Sequence, residues 1–273
     1  MKTGNCWKLR ETTKKIELAR KEHSGGGGFS SHSLETFRDR LCDLCEDDIE
    51  HFGCDRSSRS QNQAQCAVAV AREFGCLKSP GETWDVFRAT NPDLHFGTEH
   101  AVESDPQGRR MVKITIPPAF GLIPAVLSHP LVDLRNDSKE PQFRRAIEFL
   151  RATPLEYLDR WIAANEIFAD EVELASVVEW SDGQISFIVL QPQYHGENAT
   201  SSEIEKFFTV AGWTAVRDPS RHHDLFFNYA FGVLAIDALP RNCHVKQGEL
   251  LPFDVILCRP DPELESFLKL YPG

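Results

Sequence analysis

From Leu94 onward the apolar residues come in short runs separated by turn formers, and only two stretches among them carry helical spacing. LHFG, HAVES and RRMVKITI, the last entered through the turn DPQG, read as a small antiparallel meander. PLEYLDRWIAANEIF, capped by Thr153 and opened by Pro154, reads as a helix whose buried stripe is Leu155, Leu158 and Ile162. VELASVVEW, the turn SDGQ and ISFIVLQP make a hairpin. The chain leaves it through QPQYHGENA, and EIEKFFTVAG forms a second helix capped by Ser201 or Ser202. Two buried strands around a turn follow over 233–260. That order, three strands, a helix, two strands, a helix and a strand-rich end, predicts an α+β fold with an antiparallel sheet. Residues 117–150, proline-rich in PPAFGLIPAVLSHP and charged in DLRNDSKEPQFRR, read as an irregular insertion with room for a short helix at its end.

The chain before Leu94 has a different texture. Residues 1–32 are charged and then Gly/Ser-rich, and HSGGGGFSSHS has the composition of a flexible linker. Ser33 caps an amphipathic helix to about His51, CDRSSRSQNQ reads as a polar connection, and Ala64 to Phe74 as a helix ended by Gly75. Residues 1–60 read as an N-terminal extension, partly disordered with a helical appendage near 33–51, ahead of a compact domain over 61–273.

Charge and cysteines narrow the partners. The first 60 residues balance 11 Lys and Arg against 11 Asp and Glu, so the net charge of −11 resides wholly in the remainder. An acidic body without a basic stripe argues against nucleic acid or an anionic membrane as partner. No run approaches the roughly 20 apolar residues of a membrane span. MKTGNCWKLRETTKK lacks the apolar core of a signal peptide, so a cytoplasmic protein with reduced thiols is expected. CDLC, with His51 and Cys54 nearby, resembles part of a zinc site. Its segment has helical periodicity and lacks a second paired knuckle, so Cys42, Cys45 and Cys54 read as ordinary helix cysteines.

The informative anomaly is in VLAIDALPRNCHVKQGELLPFDVILCRP. Asp237 interrupts one apolar run, Asn242 follows five residues later, and Asp254 interrupts a second run. A lone buried carboxylate is costly, so two such intrusions point to a shared cause, a metal or a reacting group, rather than two separate turns. Lys113 likewise sits inside the strand MVKIT, facing away from Val112 and Ile114; the bland reading is a solubility residue on a sheet edge.

The order of elements, the strand lysine and the D-x4-N loop followed by a strand with Asp together resemble the protein-kinase-like fold. More narrowly, GTEHAV, RRMVKITIPPAFG, PLEYLDRWIAANEIFAD, LQPQYHG and IDALPRN...LLPFD resemble the compact kinase-like domains of the polyvalent proteins of phages and mobile elements. The resemblance covers about residues 64–260. It implies a first lobe over about 94–191, an antiparallel sheet with one main helix, and a much reduced second lobe over about 192–273. It also implies ATP and magnesium (Mg2+) as ligands. Asp237 would orient the acceptor hydroxyl, Asn242 and Asp254 would hold the metal, and Lys113 would contact the α and β phosphates with Glu156 as its carboxylate partner. The backbone of Gly97, Thr98, Glu99 and His100 would cover the phosphates, and backbone groups of Gln191 and Gln193 would meet the adenine.

The departures from that pattern shape the function expected. There is no full GxGxxG, Ala235 and Ile236 stand where His-Arg would, DVI replaces DFG, and little chain follows Asp254 to dock a peptide. The expectation is a magnesium-ATP-dependent phosphotransferase of unknown acceptor. The alternative is a pseudokinase-type module that binds nucleotide or protein without catalysis. Asn165 reads as a packing amide, and His222, His223 and His244 as surface or cap residues.

Overall fold

The computed structural model describes residues 33–45, 55–105, 109–131, 142–220 and 222–271. They form six helices and several sheets, almost wholly antiparallel, so the fold is α+β. Two compact units divide them: one holds the described residues up to Pro118 and Trp161–Gln193, the other Ala119–Arg160 and those from Tyr194 onward.

The first unit is built on a six-stranded sheet. Its strands are β1 (Leu77–Lys78), β2 (His95–Phe96), β3 (His100–Ser104), β4 (Arg110–Thr115), β7 (Glu173–Glu179) and β8 (Ile185–Pro192), in the order β1-β7-β8-β4-β3-β2. Only β1 and β7 run parallel. On one face, Ala101, Ile114, Val178 and Trp180 pack with Leu94 and with Trp84 of helix α3 (Trp84–Thr90), a helix not anticipated from TWDVFRAT. Trp84 and Trp180 meet edge to face at 5.4 Å.

Helices α1 (Leu34–Leu44) and α2 (Arg56–Glu73) are part of this unit, and the appendage expected over 1–60 is corrected. Phe37 of α1 is 0% exposed, with its ring edge-on to Phe187 of β8 at 6.1 Å and to Phe74 at 5.8 Å. Helix α2 starts eight residues before Ala64, because Asp55 caps it by accepting the Ser58 N–H, and the expected domain boundary falls inside it. Ser33 caps α1 as expected, while residues 1–32, His51 and Cys54 lie outside the described residues.

In the second unit, residues 117–150 hold no irregular insertion. They hold two ten-residue strands, β5 (Leu122–Leu131) and β6 (Gln142–Arg151), paired along their whole length. Proline hides this from a sequence reading. Pro124 and Pro130 are tolerated because β5 has β6 as its one strand partner, so their missing N–H groups interrupt no second ladder. Val126 and Ile147 of this hairpin join Leu225, Phe227, Leu234, Ile236 and Ile256 in the unit's core.

Those residues come from the sheet β10 (Thr214–Arg217), β11 (Asp224–Asn228), β12 (Val233–Ile236) and β15 (Ile256–Cys258), with helix α6 (Pro262–Leu268) adding Leu264 and Leu268. On the other face Phe226 stacks at 4.4 Å on Phe208 of helix α5 (Ser201–Val210). The α5 cap is Thr200, not Ser201 or Ser202, and it closes a capping box with Glu203. A smaller sheet orders β14 (Glu249–Pro252), β13 (Cys243–Lys246) and β9 (Glu197–Asn198). A Cβ on Gly196 would stand 2.5 Å from the Val245 carbonyl oxygen, so the close approach of β9 to β13 requires glycine there.

Helix α4 (Pro154–Phe168) forms where predicted. Its buried apolar residues beyond Pro154 are Tyr157, Leu158, Trp161, Ala164 and Ile167, while Leu155 and Ile162 are only half-buried. The aromatic rings fix the facing side of the helix, which the aliphatic spacing alone misplaces.

Candidate functional site

The stretch 233–260 folds into four short strands and a 3-10 turn (Pro240–Asn242) rather than two strands. Asp237 ends β12 in a left-handed conformation, φ 63°, which turns the chain out of the sheet. Asn242 holds that turn: its Nδ2 donates to the Asp237 carbonyl at 2.7 Å and to the Asp237 Oδ2 at 2.8 Å. Arg241 donates to the other carboxylate oxygen at 2.8 Å. An amide at the fifth position and a cation at the fourth thus explain why a carboxylate can end a buried strand.

Register brings Asp254 to the same place. Ile236 pairs with Ile256, so Asp237 just after the one and Asp254 just before the other fall at the same end of the β12–β15 pair. The Phe253 N–H donates to the Asn242 carbonyl at 3.0 Å, tying the two loops together. Asp254 is half-exposed and ion-paired at 3.5 Å with Arg160 of α4, whose side chain is 3% exposed. Because Asn242 Nδ2 is committed to Asp237, its Oδ1 is the atom available to a cation. With the Asp254 carboxylate this gives two hard oxygens, the kind of set magnesium accepts when water and phosphate complete its shell. Among the described residues no group of three or more His, Cys, Asp and Glu side chains could hold a metal.

The same end of the sheet carries more polar groups. Arg217 pairs across with Asp224, and Leu225 with Ile236, so Arg217, Asp224 and Asp237 stand in a row at one edge of three adjacent strands. Beside them, Asp218 is 3% exposed and organises a turn. It accepts from the backbone N–H groups of Ser220 (2.8 Å), His222 (3.0 Å) and His223 (3.2 Å) and from the Ser220 hydroxyl. Burial pushes its pKa up, but these donors outweigh burial and hold it below the ordinary 3.8. A lowered pKa stabilises the fold above the ordinary value, and that stabilisation is lost as pH falls through the folded value. Asp218→Asn is therefore expected to lower stability by about 1.5–3 kcal/mol at pH 7, since an amide NH2 meets donors. It should also flatten the loss of stability below pH 3.8, measured by urea melts across the acid range.

In the first unit, Lys113 is 6% exposed and lies in the interior of its sheet, between Val102 and Val189, so it is not an edge residue. Its ammonium sits 4.9 Å from the centre of the Trp161 ring. The turn between β2 and β3 closes with the Gly97 N–H donating to the His100 carbonyl at 2.8 Å, which leaves Gly97 and Thr98 exposed and His100 buried. Gln191 is buried with its side-chain amide on Asp170 at 2.7 Å. The Gln193 N–H donates to the Arg109 carbonyl at 2.9 Å, which takes that donor away from any adenine. Asn165 brackets Val172, giving and accepting one hydrogen bond with its backbone at 2.8 and 2.7 Å, a packing amide as read. In the second unit, the Glu156 carboxylate accepts the Thr153 N–H at 2.7 Å, closing a capping box at the start of α4.

Sequence reasoning passed over Arg160, Asp170, Trp161 and Asp218. For Asp218 a signal exists: Asp-Pro-Ser places a hydroxyl and an N–H two residues after a carboxylate, the pattern of an Asx turn. No protein-family model, curated protein or solved structure matches the chain. No helix of the described residues is long and apolar enough to cross a membrane.

Proposed function

We propose that this chain is a magnesium-ATP-dependent phosphotransferase of protein-kinase-like type. The observation that carries the reading is the convergence of Asp237, Asn242 and Asp254 at one end of the β12–β15 pair. Magnesium, when bound, neutralises charge on the transferring phosphate and orients it. Asp254 and Asn242 Oδ1 are the groups that would hold it. Asp237 orients the acceptor hydroxyl and takes its proton as the hydroxyl oxygen bonds to the terminal phosphorus and the bond to the nucleoside diphosphate breaks. Both Asp237 oxygens accept hydrogen bonds, from Arg241 and Asn242, which fixes where the carboxylate points. A loose phosphoryl-transfer transition state asks for positioning more than for a strong base. In the first unit, Lys113 stays as a buried cation whose ammonium lies against the Trp161 ring.

A second reading, a module that binds nucleotide or protein without catalysis, is favoured by one observation: Asp237 faces the guanidinium of Arg241 and Asp254 that of Arg160. Melting the protein with magnesium-ATP, and with ATP in excess chelator, separates the readings, with ADP release followed in parallel. The expected result is a melting temperature raised by magnesium-ATP, no rise with ATP and chelator, and slow ADP release. No shift under either condition overturns the phosphotransferase reading. A shift that ignores the chelator and yields no ADP selects the second reading.

A further inference from the structure

A depression of about 480 Å³ opens at the strand ends of the second unit, and Arg217, Asp218, His222, His223, Asp224 and Asp237 form its polar lining. Its size suits a small molecule rather than a folded partner. Three carboxylates stand against one guanidinium there, so the lining is negative as a whole. Asp218 keeps its charge inside its own turn, 3% exposed, with the Ser220 hydroxyl and three backbone N–H groups on its oxygens. Asp237 faces Arg241 on one oxygen and Asn242 on the other. A carboxylate has roughly four acceptor positions, so Asp237 has room for a further donor. His222 and His223 are engaged by Arg144 at 3.1 Å and by the Ile147 carbonyl at 3.4 Å.

Arg217 and Asp224 are uncommitted. They are directly opposite on β10 and β11, a position in which Cβ atoms stand about 4.5–5.5 Å apart, and both are exposed. Neither makes an ion pair or a side-chain hydrogen bond with the other, or with anything else among the described residues. On its other side Asp224 lies one step beyond the Leu225–Ile236 pair, beside Asp237. Like charges so placed repel, and an ammonium group between them removes the repulsion. The row across three adjacent strands is therefore guanidinium, carboxylate, carboxylate. Strands lie about 4.8 Å apart, which keeps the whole row within reach of one small ligand. An amine alone leaves Arg217 unused, and a carboxylic acid alone meets a negative wall. A molecule with both charges and a hydroxyl matches the row in order: carboxylate on Arg217, ammonium at Asp224, hydroxyl at Asp237.

We propose that this depression binds a small hydroxylated α-amino acid in its zwitterionic form and presents the hydroxyl to Asp237 as the phosphate acceptor. The acceptor role rests on the phosphotransferase reading; the binding of the amino acid does not. In that role the hydroxyl oxygen bonds to the terminal phosphorus of ATP as the bond to ADP breaks, the hydroxyl proton passes to Asp237, and an O-phosphoamino acid leaves with ADP. Saturation-transfer NMR on the full chain without nucleotide tests the binding. The probes are L-serine, L-threonine and L-homoserine, with ethanolamine and 3-hydroxypropanoate as counterparts that each lack one charge. At least one amino acid should bind about tenfold or more tighter than either counterpart. Arg217→Gln and Asp224→Asn should each weaken that binding by about tenfold or more. Both positions are exposed, so both variants keep the fold, which their melting temperatures check. No binding of any amino acid, or binding that ignores either substitution, overturns the proposal even where magnesium-ATP raises the melting temperature. Ethanolamine bound as tightly as the amino acids overturns it too, in favour of a plain amine site. Amino-acid binding without any magnesium-ATP shift overturns the phosphotransferase reading and the acceptor role together, while the amino-acid site stands. Binding with ADP release that no amino acid accelerates overturns the acceptor role alone.

Discussion

Asp254→Asn is expected to raise the magnesium-ATP concentration needed for half-maximal thermal stabilisation by at least ~tenfold, with ADP release falling at least as far. The substitution removes a charge and almost no volume. It also weakens compensation of Arg160, whose side chain is 3% exposed. Since Asp254 itself is half-exposed and the contact is 3.5 Å long, the loss of ligand-free stability should be small, about 1 kcal/mol. The two effects separate in one titration. A variant that melts lower without ligand, yet keeps the wild-type response to magnesium-ATP, makes Asp254 a partner of Arg160 and nothing more. Asp254→Ala distinguishes further, because it also removes the oxygen through which asparagine could still meet a cation.

Asp254 was legible for a reason that Arg160 was not. An acidic side chain between Phe253 and Val255 contradicts its neighbours locally, and the contradiction is visible without any structure. Arg160 is buried by groups far along the chain: its partner Asp254 lies 94 residues away. On a helix, an arginine beside Trp161 looks like any charged residue on a solvent face. The same contrast runs through the fold. Helix α4 announces itself with a cap, a first-turn proline and periodicity, and the strands around Lys113 with alternation. Strands β5 and β6 do not, because two prolines and a charged connection carry the signature of a loop while the pairing partner supplies what the local sequence withholds. Thr200 was missed as a cap by a single residue because Ser201 and Ser202 are equally good capping types, and only the Glu203 side chain, reaching back to the Thr200 N–H at 2.8 Å, decides among them.

The N-terminal helix shows the same limit with the largest energetic consequence. Phe37→Ala is expected to destabilise the protein by about 3–5 kcal/mol, the range for truncating a fully buried aromatic ring. Phe37 is 0% exposed, as is Leu41 one turn further on, and Leu34 at 1% lies one turn before it. These three residues form a stripe at helical spacing, and the Phe37 ring reaches Phe187 on β8, which pairs with β4 where Lys113 resides. Glycine-rich sequence upstream suggests an arm; the stripe shows that Leu34, Phe37 and Leu41 belong to a packed core. Alanine at 37 leaves a cavity between α1, Phe74 and the sheet that close-packed neighbours cannot refill. Urea unfolding of the wild type and the variant measures this, with the slope of the transition held in common. A midpoint unchanged within error would make α1 a removable appendage after all. A lowered midpoint with an unchanged slope would mean that the helix unfolds together with the sheet, so that losing α1 loosens the strand pair carrying Lys113 without touching any residue of the candidate site.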